Sequence, residues 1–146
     1  MGIVVRLANA EDAEAAVAID PSAARDAHRR DWLRRAFAGE QGRVARLAFL
    51  DGEAAGLAVV GHFFSNPFLD LIVTAPSCQR QGVASALLDV IERAHANQKL
   101  FVSTNESNAV MRALLPRRGY LPAGQVDHLD PGDPELFFVR LPRLPE

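Results

Sequence analysis

FLDLIVTAPSCQRQGVASALLDVIERAHA, Phe68 to Ala96, is the stretch that decides how this chain is read. Phe68 to Thr74 is a nearly continuous apolar run interrupted only by Asp70, which reads as a strand buried on both faces. Val83 to Ala96 carries the cleanest helical pattern. Val83, Ala84, Leu87, Leu88 and Ile91 fall on one face, and Asp89 and Arg93 make an i,i+4 pair opposite. The loop APSCQRQG joins the two, and its glycine opens the helix. The first turn of a helix has N–H groups without intrahelical partners and a partial positive charge of about half a unit. A junction of this kind holds phosphate oxygens with little side-chain help. Gly82 lacks a Cβ, so backbone can approach a bulky diphosphate, and Ala84 and Ser85 keep the first turn small. No Lys-Ser or Lys-Thr follows the glycine, and GxGxxG is absent. Neither a nucleotide P-loop nor a dinucleotide loop is present.

Working outward, Ile3 to Leu7 is short and β-branched, a strand. Asn9 is placed to cap a helix over EDAEAAVAI, whose acidic first turn suits the positive helix end. Pro21 stops it, and Ser22 is expected to cap a second helix through Phe37. Arg43 to Leu50 and Ala54 to Phe63 are strands joined by Asp51-Gly52, a strong two-residue hairpin signal. Ser65-Asn66-Pro67 marks the next turn. Downstream come a strand from Leu100 to Ser103, a helix from Ser107 to about Leu115 that Pro116 ends or kinks, and closing strands Gly119 to Gln125 and Glu135 to Leu141. The order β-α-α-β-β-β-α-β-α-β-β predicts a mixed α/β sheet domain.

The 146 residues suit one domain, and 49% hydrophobic with 23% charged residues provides a core. A net charge of −2 gives no global attraction to nucleic acid or anionic lipid. The arginine-rich second helix, with Arg25, His28, Arg29, Arg30, Arg34 and Arg35, is read as a solvated face beside acidic neighbours, the alternatives being an anion or substrate site and, against the net charge, a nucleic-acid surface. Cys78, the single cysteine, makes neither an internal disulfide nor a cysteine-based zinc site, and no metal is expected. There is no membrane-length apolar run, and MGIVVRLANAEDAEA lacks a signal-peptide pattern, so a cytoplasmic location is the expectation.

Val73-x-x-Pro76-x-x-Gln79-x-x-Gly82-x-Ala84 resembles the acyl-CoA signature of the GNAT superfamily of N-acetyltransferases. In that signature Arg or Gln, then Gly, then Gly or Ala recur at these spacings, and here one extra residue separates the valine from the proline. Asn105-Glu106-Ser107-Asn108 through Arg118-Gly119-Tyr120 resembles the family's second region, where an asparagine opens a helix ending in Gly-Phe or Gly-Tyr. The element order agrees along the whole chain, implying a single GNAT-like domain over 1–146. Its mostly antiparallel central sheet would be flanked by helices.

The resemblance implies acetyl-CoA as co-substrate. Backbone amides of Arg80, Gln81, Gly82, Val83, Ala84 and Ser85, beside Gln79, would hold its pyrophosphate. The edge of Ile72, Val73 and Thr74 would pair with the pantetheine arm like an added strand, its N–H groups polarising the thioester. Asn108 matches the asparagine that contacts this arm, with Asn105 as companion; helix capping stands beside that role for both.

The family's usual acid, a tyrosine seven residues after the helix-opening asparagine, is replaced by Leu115. Tyr120, the one tyrosine, occupies a core position, and a CoA thiolate is already a fair leaving group near neutral pH. Asp70 is the expected base, the only ionisable residue of its strand, with alternation placing it beside Ile72 and Thr74. His62 is a second candidate. Cys78 has no histidine partner at any recognisable spacing and is read as inert.

The reading is an acetyl-CoA-dependent N-acetyltransferase acting on a small-molecule or peptide amine by direct attack in a ternary complex. The alternative is a non-catalytic acyl-CoA-binding or sensing module. The acidic loop DHLDPGDP would suit a cationic acceptor or be an ordinary solvated loop. A homodimer would pair through the closing strand Glu135 to Leu141.

Overall fold

Local rules account for most elements of the computed structural model, which describes residues 2–143. Seven strands are hydrogen-bonded in the order β1-β2-β3-β4-β5-β7-β6. They are β1 (Ile3–Leu7), β2 (Val44–Leu50), β3 (Glu53–Phe63), β4 (Asn66–Thr74), β5 (Leu100–Asn105), β6 (Leu121–Val126) and β7 (Glu135–Arg140). The helices are α1 (Ala13–Ile19), α2 (Ala27–Phe37), α3 (Val83–Ala94) and α4 (Ala109–Arg117). The β4–β5 pair is parallel, whereas β1–β2, β2–β3, β5–β7 and β6–β7 are antiparallel. This is a mixed, mostly antiparallel sheet flanked by helices.

The described residues form two units: 2–61 with 70–94, and 62–69 with 95–143. In the first, Asn9 caps a short 3-10 turn leading into α1, with Asp12 returning a carboxylate to the Asn9 N–H in a capping box. Asp26, not Ser22, caps α2; the Ser22 N–H is taken by Asp20, and the backbone reaches extended cap geometry only at Asp26. Asp51 and Gly52 turn the β2–β3 hairpin with φ of 50° and 87°, the left-handed pair of a type I′ turn. One face of the sheet packs Ala45, Leu47, Leu57 and Val59 against Ala16, Ile19, Leu33 and Phe37 of α1 and α2. The other face takes α3 through Val83, Leu87, Leu88 and Ile91, all buried. Each such side chain contributes about 1.5–3 kcal/mol of burial. Gly56 makes the close approach of α3 possible: a Cβ there would lie 2.6 Å from Val83 Cγ1 and 3.0 Å from the Val73 carbonyl. Arg46 is the costly exception. It is buried, its Nη1 has no hydrogen-bond partner, and burial pushes its guanidinium below the ordinary value.

Asp70 to Thr74 of β4 is only half-buried, so this half of the strand is not enclosed on both faces as its composition predicts.

In the second unit the β3–β4 turn sits at Phe64 and Ser65, φ of 48° and 65°, one residue earlier than expected, and Asn66 and Pro67 already belong to β4. Phe63 packs against Phe68, Phe101 and Phe137 with ring centroids 5.3–5.6 Å apart. Asn108 caps α4, and Pro116 is accommodated in its last turn. The closing strand β7 is paired on both sides, by β5 and β6. Pairing of a second copy along β7 is therefore closed off, because its backbone groups are already spent. The terminal strands are β1 and β6. Pro122 and a register shift up to Gln125 interrupt the ladder in β6, devices that blunt an edge.

Candidate functional site

The phosphate-type junction forms as its sequence requires. After β4 the chain takes a 3-10 turn over Pro76–Cys78, runs extended at Gln79, and turns through Arg80 and Gly82, both left-handed with φ of 64° and 88°. The α3 ladder begins with Ala86 N–H to the Gly82 carbonyl at 3.0 Å. Helix geometry thus leaves the N–H groups of Val83, Ala84 and Ser85 outside the ladder. Gln79, Arg80 and Gly82 are exposed. No acidic side chain occurs from Ala75 to Leu88, so nothing in the loop opposes an anion. Free N–H groups, one guanidinium and no carboxylate suit a diphosphate.

Upstream on the same strand, Asp70 lines an open cleft of about 260 Å³ with Arg29, Trp32 and Leu71. Asp70 and its successor Leu71 share this lining, so the simple alternation of Asp70 with Ile72 and Thr74 does not describe the strand. The carboxylate is not isolated: Arg43 Nε donates to Asp70 Oδ2 at 3.3 Å, and the Arg43 guanidinium lies 5.3 Å from the centroid of the Trp32 ring. Gly61 faces Asp70 so closely that a Cβ would collide with the carboxylate. Arg29, the cation that lines the cleft, donates from Nη1 to the buried Asp20 at 2.9 Å.

The remaining candidates fall elsewhere. Asn105 and Asn108 belong to the second unit, where Asn105 Nδ2 donates to Asp130 at 2.8 Å and Asn108 Oδ1 accepts from Met111 N–H at 3.2 Å. His62 is exposed on the second unit's end of β3. Cys78 is half-buried, its sulfur 3.7 Å from Ser77 Oγ. Leu115 and Tyr120 are both buried, which keeps Tyr120 in the core and closes the position where a tyrosine acid would stand. The acidic loop is engaged with its own surroundings: Asp130 with Asn105, Asp133 with the Ser107 N–H and hydroxyl, Asp127 with Gln125. The basic α2 is likewise partnered, Arg34 by Glu14, Arg29 by Asp20, and Arg30 by the Ala23 carbonyl.

Sequence reasoning missed Arg43, Trp32 and Gly61, and named Arg29 only as one of the cations of a basic helix. Only Gly61 carried a signal, since an isolated glycine within a strand marks a close approach.

The chain belongs to the acetyltransferase (GNAT) family, whose pattern matches residues 7–120. It is an N-acetyltransferase by family, and the family uses acetyl-CoA as co-substrate beside an acceptor. Among solved structures, a GNAT-family acetyltransferase from Bacillus cereus is 28% identical with a TM-score of 0.84, covering 99% of this chain and 100% of its own. The ribosomal-protein-S18-alanine N-acetyltransferase of Escherichia coli shares the fold at 20% identity and a TM-score of 0.79, covering 99% and 97%. No curated protein matches the sequence. No helix among the described residues is long and apolar enough to cross a membrane.

Proposed function

We infer that this chain binds acetyl-CoA at the α3 N-terminus and transfers the acetyl group directly to the amine of a small acceptor in a ternary complex. The observation that carries this reading is the junction itself. Two left-handed residues deliver three unladdered N–H groups at the end of β4, in a loop free of acids. Arg80, Gln81, Gly82, Val83, Ala84 and Ser85 would hold the pyrophosphate, with Gln79 beside them. Ile72, Val73 and Thr74 would pair with the pantetheine arm. Acetyl-CoA supplies the acetyl group as a thioester.

Asp70 accepts the proton that the amine loses on attack, directly or through one water, and backbone N–H groups near Ile72 and Val73 stabilise the oxyanion. The amine nitrogen bonds to the carbonyl carbon, the carbon–sulfur bond breaks, and the thiolate departs without a tyrosine acid. Arg43 holds the Asp70 carboxylate in place.

Calorimetry with paired variants tests the binding step. Both Asn and Asp tolerate the left-handed backbone at residue 82, so Gly82→Asn and Gly82→Asp should fold alike. Gly82→Asp adds charge where phosphate sits and should abolish acetyl-CoA binding, while Gly82→Asn weakens it. Equal affinity in wild type and folded Gly82→Asp would falsify the assignment.

A further inference from the structure

The cleft beside Asp70 carries more hydrogen-bonding capacity than the protein uses. A guanidinium has five N–H donors. Arg43 spends Nε on Asp70, and its guanidinium carbon lies 5.3 Å from the Trp32 ring centroid; among the described residues its Nη1 and Nη2 have no hydrogen-bond partner. Arg29 spends Nη1 on Asp20, and its Nε and Nη2 are likewise uncommitted. Both side chains are partly exposed, 21% for Arg43 and 32% for Arg29. The edge that Arg43 leaves open, Nη1 with Nη2, is one that takes a carboxylate bidentately.

The charges already present balance: Arg29 faces Asp20 and Arg43 faces Asp70. A cation entering the cleft would meet the Arg29 guanidinium in its wall and an Asp70 carboxylate already paired with Arg43, which stands at the margin against Asp70 and Trp32. A small anion would meet open donors. A molecule carrying both a carboxylate and an amine satisfies both kinds of group, the acid on the arginines and the amine toward Asp70. The remaining walls, Leu71 and the Trp32 ring, are apolar. At about 260 Å³ the cleft lies just below the range of drug-sized ligand sites, which begins at about 300 Å³, and so suits a small molecule.

We propose that the acceptor is a small amine that also bears a carboxylate, an amino acid or close analogue, with Arg43 and Arg29 reading the acid. This rests on the acetyltransferase reading above, since it names that enzyme's acceptor class. It reverses the charge preference suggested by the acidic loop, whose carboxylates are engaged within the second unit.

The test compares free L-amino acids with their α-carboxamides, which keep the amine and lose the charge. Binding is measured by calorimetry with CoA present, and transfer by thiol release from acetyl-CoA. The acid form of at least one apolar amino acid should bind tighter than its amide by roughly tenfold or more, the scale of a charge-assisted hydrogen bond. Arg43→Gln should erase that preference. Arg43→Lys, which keeps the charge but not the planar fork, should reduce it, and serves if Arg43→Gln folds poorly. Equal binding of acid and amide, or binding of neither, would overturn the proposal, and the wild-type comparison needs no variant. Thiol release at equal rates from acid and amide would support transfer while overturning the acceptor class. Acid-selective binding without thiol release would do the reverse.

Discussion

Asp70 illustrates how much one side chain depends on distant neighbours. In the sequence it is the lone charge in FLDLIVT, which marks it for attention. Its setting, however, comes from Arg43, 27 residues earlier, and from the missing side chain of Gly61. Neither spacing follows a local rule, so neither partner was legible before the strands were laid side by side. If Asp70 receives the acceptor's proton, Asp70→Asn keeps the shape and removes the basicity. Turnover should then fall by roughly two orders of magnitude, with acetyl-CoA affinity unchanged. A normal rate and pH profile in that variant would return the proton to His62 or to solvent.

At the scale of elements, the strands and helices were largely legible because their signals are local: β-branched runs, Asp51-Gly52, the Asn9 and Asn108 caps, and the apolar face of α3. The α2 cap was not, because Ser22 and Asp26 are both good caps; Ser22 falls in a turn where its N–H bonds Asp20, and the helix starts only after Asp26, which accepts from the His28 N–H. The seat of α3 was also hidden, since it depends on Gly56, a residue of another element. Adding one methyl there forces Val83 and the Val73 carbonyl apart. Gly56→Ala should cost about 1–3 kcal/mol, the usual range for overpacking, and should weaken acetyl-CoA binding by moving the N–H groups of Val83 to Ser85. Denaturant melts alongside calorimetry check this. A stable variant with wild-type affinity would mean that the helix terminus is not held by that contact.

For the whole molecule, acid stability is the readout of how the N-terminal segments are tied together. Arg6 Nη2 meets Asp12 Oδ1 at 2.8 Å, and the Arg6 hydrogen bonds, then that of the Asn9 N–H, bring the Asp12 carboxyl down to about 2. A carboxyl held below its unfolded value contributes stability that is complete above that value and is lost as the pH falls through the folded one. Wild-type protein should therefore lose stability between about pH 4 and about pH 2, and Asp12→Asn should lose less over the same interval. Parallel slopes in pH-dependent melts would remove the pair from the account. The sequence conveyed the order of the elements but not the order of the strands. It therefore pointed to β7 as a surface for a second copy, when long-range pairing had already placed β7 between two neighbours.

That placement has a consequence for how the protein comes into being. The strand that lies between β5 and β6 is the last of the three to be synthesised. Until residue 140 has left the ribosome, β5 and β6 have no common partner, and their ladder groups face whatever is nearby. Early-made segments fold while later ones are still emerging, and unpaired strand edges are where nascent chains go astray. The second unit is thus the part of this enzyme that must wait, and a chain interrupted before Glu135 would lack the strand on which both of its neighbours depend.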